Sequence, residues 1–129
     1  LYYGWHTLAE DGNVRVFLDP QADPTAAALL EGLMQIRFGV ALRNYDPARG
    51  DGVVVDLAAG SVPPRWAGCD LHISDRYPGP GEYVIHVEDA APDQPTRLLI
   101  FGRDAAGLAK GVHMWLHFLR PEKPGAVRN

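Results

Sequence analysis

The stretch Thr96 to Leu119, TRLLIFGRDAAGLAKGVHMWLHFL, decides the fold. Arg97 to Phe101 (RLLIF) is a compact apolar run that reads as a central strand. Gly102 turns the chain, and Asp104 supplies a carboxylate suited to cap a helix. From there to Leu119 the residues repeat at the helical period. Leu108, Val112, Trp115, Leu116 and Leu119 fall on one arc, and Lys110, His113 and His117 on the opposite one. Gly107, Gly111, Met114 and Phe118 share a third strip. A strand leading into a helix with one apolar arc predicts a helix layer on a sheet layer.

The rest of the chain supplies partners for that unit. Glu82 to Val87 reads as a strand after the turn-rich RYPGPG of Arg76 to Gly81. With Pro92 and Pro95 in the next turn, it forms a hairpin with Arg97 to Phe101. Val53 to Leu57 is a buried strand, Val40 to Tyr45 a short one, and Leu71 and Ile73 mark another. A first helix follows Asp23 as N-cap and Pro24 as first helical residue, with Ala26, Leu29, Leu30 and Leu33 as its stripe and Gly39 as its stop. Gly32 either weakens that helix or marks a close approach to the sheet. Residues 1–19 read as a hairpin, with arms at Trp5 to Ala9 and Val14 to Leu18 around Glu10-Asp11-Gly12-Asn13. The expectation is one α+β domain over 1–129, two-layered, with a mixed, mostly antiparallel sheet and two main helices on one face. Residues 1–13 form an extra hairpin arm and 120–129 a tail or linker.

With 129 residues, 47% of them hydrophobic, the chain can bury a core. It is too short for a (β/α)₈ barrel, which needs about 250 residues. The net charge of -4 is spread without a basic stripe, so no nucleic-acid partner is expected. No apolar run is long enough to span a bilayer, and no membrane partner is expected. The single cysteine, Cys69, reads as a small buried residue beside a strand.

Several residues invite chemistry. His113 and His117 stand four apart on a helix, the spacing of a zinc pair, but Met114 occupies the place of the peptidase glutamate and no third ligand follows. They read as solvated or interface histidines, with zinc binding as the alternative. Glu82, Glu88 and Asp89 cluster near one strand, and Asp51 and Asp56 near another, so carboxylate-pair catalysis is one reading and solvated acids the other. Gly102, Gly107 and Gly111 fit no dinucleotide or P-loop spacing and read as packing glycines. Trp66, in the proline-rich loop, is the candidate for stacking on a sugar, beside Trp5 and the tyrosines. No cofactor is expected.

The frame Ala106-Gly107-Leu108, then Gly111, then Leu116 to Leu119, resembles the end of the small domain that precedes the catalytic barrel in β-N-acetylhexosaminidases. Related domains precede the barrels of α-glucuronidases. Upstream, Glu82 to Val87, Val53 to Leu57 and the helix–glycine–strand order of Leu29 to Leu42 are similar to that family in sequence order. Departures are Ala109 and Lys110 where aromatics are usual, His113 and His117 where glutamines are common, and Met114 in place of threonine. The resemblance implies a non-catalytic accessory domain, because the family's catalytic acids belong to the barrel. It implies the barrel of the same parent chain as partner, with Gly107, Gly111, Met114 and Phe118 as the candidate interface. It also implies a carbohydrate-active parent in an extracellular or periplasmic setting. A carbohydrate-binding module acting through Trp66, with a glycan as partner, and a small metallohydrolase using His113 and His117 are the alternatives.

Overall fold

A computed structural model describes residues 1–89 and 92–121. Ala90 and Ala91 of the expected turn, and residues 122–129 of the expected tail, lie outside the described residues. The chain opens with two short antiparallel ribbons. β1 (Tyr2–Tyr3) pairs with β2 (His6–Thr7), and β3 (Ala9–Glu10) with β4 (Asn13–Val14). Asp11 and Gly12 turn the second ribbon at φ 51° and 81°, the left-handed pair that a two-residue hairpin needs. The single hairpin expected over 1–19 is therefore divided. Val16, Phe17 and Leu18 are all buried, and they leave the ribbon as β5 (Val16–Leu18) to join the main sheet.

Helix α1 (Pro24–Phe38) starts and stops where the sequence signals it. The Asp23 carboxylate accepts the Ala26 N–H at 3.0 Å, and Gly39 ends the helix at φ 67°. Ala26, Leu30 and Met34 face the core. Gly32 has open space where a side chain would stand, so it only weakens the helix. The next strand, β6 (Arg43–Asn44), is shorter than expected. β7 (Val53–Ala59), β8 (Tyr83–Glu88), β9 (Thr96–Gly102) and helix α2 (Ala105–His117) follow. Leu71 and Ile73 lie in irregular chain, where they pack as apolar cover.

The main sheet has the order β6-β5-β7-β9-β8. β8 and β9 form the expected antiparallel hairpin, with Ile85 opposite Ile100. The other pairs, β5 with β6, β5 with β7, and β7 with β9, are parallel. The sheet is mixed, as expected, but mostly parallel rather than mostly antiparallel. The physical reason is visible in VVVDLAA and RLLIF: these runs carry apolar residues on both faces because both faces are covered, the condition of parallel strands.

Both helices pack on one face, over Val16, Leu18, Val53, Val55, Leu57, Leu98 and Ile100. Leu108, Val112, Trp115 and Leu116 of α2 complete this core, so its apolar arc is as the sequence reads. The opposite face carries a second cluster, Ala58, Leu99 and Phe101 beneath Trp66 and Leu71. Phe17, Tyr45 and Val54 form a third. Among the described residues no helix is long and apolar enough to cross a membrane.

Helix α2 meets the sheet at glycines. A Cβ on Gly107 would overlap the Glu82 carbonyl, and one on Gly111 would stand 2.5 Å from Ile100 Cγ2. Gly111→Ala should therefore overpack the contact and lower stability by about 1–3 kcal/mol. Gly32→Ala, in open helix, should raise it by about 0.5–1 kcal/mol. Urea unfolding of the two variants checks both signs.

Candidate functional site

The chain crosses the sheet in both directions from the β5–β7 pair. After β5 it passes through α1 to β6 on one side, and after β7 it passes to β8 and β9 on the other. Outside the carboxyl ends of two such strands a crevice opens, because their connections leave in opposite directions. Here the crevice has a volume of about 600 Å³ and is lined by Asp19, Gln21, Asp23, Asp56, Ser61 and Arg65 among others.

Two carboxylates at this end are buried, Asp56 at 2% exposure and Asp19 at 7%. Asp56 interrupts the apolar run of β7. Its Oδ1 accepts the Leu57 N–H at 2.9 Å and its Oδ2 accepts the Trp66 Nε1–H at 2.8 Å. Burial pushes the Asp56 carboxyl above the ordinary carboxylate value, against the opposing pull of the Trp66 hydrogen bond, and the charge of Asp19 adds to the rise. Asp19 follows β5 directly. Its Oδ1 accepts the Gln21 N–H at 2.8 Å. Its Oδ2 faces Arg97 Nη1 at 3.4 Å and Arg65 Nε at 3.9 Å. Burial lowers the Arg97 guanidinium from its usual value, and the neighbouring Arg65 lowers it further. Asp23 lies beside them because its own N–H donates to the Leu57 carbonyl at 2.8 Å, which ties the start of α1 to β7.

Trp66 is the residue the sequence reading misplaces. It is 1% exposed, roofing Leu99 and Phe101, with its ring edge-on to His86 at 6.0 Å. A buried indole offers no face to a sugar, so stacking through Trp66 is corrected to a structural role. Its N–H finds Asp56 because a buried indole donor needs an acceptor.

The four candidate interface residues divide. Gly107 and Gly111 are buried against the domain's own Glu82, Tyr83 and Ile100, and they serve its internal packing. Met114 and Phe118 are 39% and 49% exposed. With Tyr83, Ala109, Lys110, His113 and His117, Met114 lines an open, largely apolar hollow of about 920 Å³. His113 and His117 are both exposed on that face, and no group of three His, Cys, Asp or Glu side chains among the described residues could hold a metal ion.

The remaining acids do not converge. Asp51 pairs with Arg15 at 2.8 Å and Arg49 at 3.5 Å, just before β7, while Asp56 stands at the middle of that strand. Glu82 accepts the Gly79 N–H, Glu88 accepts the Cys69 thiol, and Asp89 faces His6 at 3.3 Å. Cys69 is half-buried, and that hydrogen bond to Glu88 raises its thiol above the usual value. Sequence reading passed over Asp19, Arg65 and Arg97. The lone acid within VVVDLAA was the available signal, since an unpaired charge does not persist in a buried strand. The chain matches no protein-family profile, and no curated protein matches it at a significant level.

The raised Asp56 carboxyl fixes a pH dependence. Above pH 3.8, its ordinary value, the unfolded chain has released a proton that the folded chain still holds. Folding stability from this group is therefore full below that pH and is lost as pH rises through the raised value. Asp56→Asn keeps an acceptor for Trp66 and lacks the titration. Its unfolding free energy relative to the parent should grow from acid to neutral pH. Trp66→Phe, which leaves the carboxyl without its donor, should cost about 1–3 kcal/mol. Denaturant unfolding between pH 3 and 7 measures both.

Proposed function

We propose that this chain is a non-catalytic accessory domain of a larger carbohydrate-active hydrolase, docked on the catalytic barrel of the same parent chain. The observation that carries the docking is the outer face of α2. Met114 and Phe118 are large, apolar and exposed one turn apart. A contiguous apolar face of that kind is the usual mark of an interaction surface. The close glycine contacts beneath it fix the helix backbone against the sheet, so docking need order only side chains.

Two further observations support the reading. Phe118 borders a second apolar hollow with Tyr3, Trp5 and Val87, which extends the face beyond the helix. The Tyr2 and Arg120 backbones exchange two hydrogen bonds of 2.9 Å, so the two ends of the described chain lie side by side. A domain tethered through either end is held close to this face at high effective concentration. The carbohydrate-active parent rests on the resemblance carried by Ala106 to Leu119, Glu82 to Val87 and Val53 to Leu57.

The test is the polypeptide detected in source cells by an antibody to this domain, followed by Met114→Asp with Phe118→Asp in that polypeptide. The expected result is a band well above the mass of this chain. The double variant should lower the parent's unfolding free energy by more than about 1 kcal/mol, while the isolated domain changes by no more than about 0.5 kcal/mol. A band at the mass of this chain, or a parent indifferent to the double variant, overturns the proposal.

A further inference from the structure

The crevice at the carboxyl ends of β5 and β7 shares no residue with the α2 face. We infer that it binds a small, uncharged polyhydroxyl ligand, of the size and chemistry of a single pyranose. Three observations converge on it. The place is the topological switch point of the sheet, where diverging connections leave a crevice that side chains of neither strand fill. Its volume, about 600 Å³, lies within the range of small-molecule sites. Its lining combines hydrogen-bonding groups of both senses with a stiff apolar wall.

The chemistry of that lining selects the ligand. Asp19, Asp23 and Asp56 supply acceptors. A carboxylate has about four lone-pair sites, and each of these three uses only some of them on protein donors. Arg65 and Ser61 add donors to the lining, and Gln21 supplies both donor and acceptor. Hydroxyl groups both donate and accept, so a polyol can satisfy both kinds of lining group at once. Pro63 and Pro64, with Leu57 and Ala58, offer apolar surface to the C–H face of a ring. Consecutive prolines hold that wall with fixed φ, so little order is lost on binding.

Other ligand classes fit less well. Asp19, already paired with Arg65 and Arg97, and Asp23 leave no unpaired arginine among the described residues facing the crevice to hold phosphate or a sugar acid. A bare divalent cation needs converging oxygens, whereas Asp56 and Asp19 direct theirs to the Leu57, Trp66 and Gln21 N–H groups and to Arg97. An amine would meet Arg65. The two buried acids, Asp19 and Asp56, stand together at the end of the sheet where the crevice opens.

The experiment is an amide NMR titration of the full chain with methyl β-glucopyranoside and methyl N-acetyl-β-glucosaminide. Glucuronate, methylammonium and calcium serve as competing probes. The expected result is saturable millimolar binding of at least one uncharged glycoside, with shifts confined to residues 19–25 and 56–66 and weaker binding of glucuronate. Gln21→Trp, at the exposed rim, should abolish those shifts with an unchanged melting curve. Arg65→Ala should weaken binding about tenfold, the loss of one charge-assisted hydrogen bond. Absence of shifts from both glycosides in a folded sample, or shifts that survive Gln21→Trp, overturns the inference. So does glucuronate, methylammonium or calcium binding the same residues at least as tightly as the glycosides. The Met114→Asp, Phe118→Asp variant should leave the titration unchanged, so this result and the docking result are read separately.

Discussion

Helix α2 lies against β9 and the start of β8 at a distance that only glycine permits, and the remaining architecture follows from that approach. Gly102 lets β9 end directly beneath the helix at Leu108, Gly107 admits the Glu82 carbonyl, and Gly111 admits Ile100 and Tyr83. The helix is thereby fixed in rotation as well as in distance. Leu108, Val112, Trp115 and Leu116 must point into the core, and Lys110, His113, Met114 and His117 must point away from it. The exposed apolar face of α2 is thus the geometric remainder of a packing solution. His113, Met114 and His117 lie on the side of the helix turned away from Leu108, Val112 and Trp115, so they point outward.

The opposite face of the sheet is solved differently. Among the described residues no α-helix covers it, so the segment after β7, with a short 3-10 turn at Pro64–Trp66, shields Leu99 and Phe101, and its largest residue is Trp66. A loop brought over a sheet carries polar atoms with it, and each needs a partner. The indole N–H takes Asp56. Asp56 then sits beside Asp19, and Asp19 draws in Arg65 and Arg97, with Arg97 also lying over the Tyr45 ring. One covering residue therefore propagates into a charged network spanning β5, β7 and β9. Trp115 provides the contrast on the helix side. It is fully buried, and its Nε1–H has no hydrogen-bond partner among the described residues, while its ring meets Tyr3 edge-on at 5.7 Å. Packing carries Trp115, whereas hydrogen bonding positions Trp66.

The legible parts of the fold were those written in local chemistry. Asp23, Gly39 and Asp104 marked helix ends, and the 82–101 hairpin was readable from its turn and its apolar runs. Parallel pairing was not readable in the same way, because β5, β7 and β9 come together across long connections and only their continuous apolarity hints at two covered faces. The N-terminal hairpin was misread for a related reason. Val14 to Leu18 has the alternation of one arm, but the demand to bury Val16, Phe17 and Leu18 draws them into the main sheet. At the site, Met114 and Phe118 were accessible to helical periodicity. Asp19, Arg65 and Arg97 were not, since they lie far apart in sequence and only the sheet order brings them together.

A single five-stranded sheet with two unlike faces can keep two surfaces independent. The α2 face is largely apolar and is set by glycine contacts with β8, β9 and Glu82. The crevice is polar, set by β5, β7 and the start of α1, and shares no side chain with α2. The two surfaces are joined through the packed strands β7 and β9, whose parallel register runs over seven residue pairs, and through the packing of α1 on α2. In the proposed docking, a partner on α2 leaves the carboxyl ends of β5 and β7 uncovered, because the crevice shares no side chain with that helix. That separation is what an accessory domain requires if one surface is to be occupied permanently by a neighbour and another left free for solute.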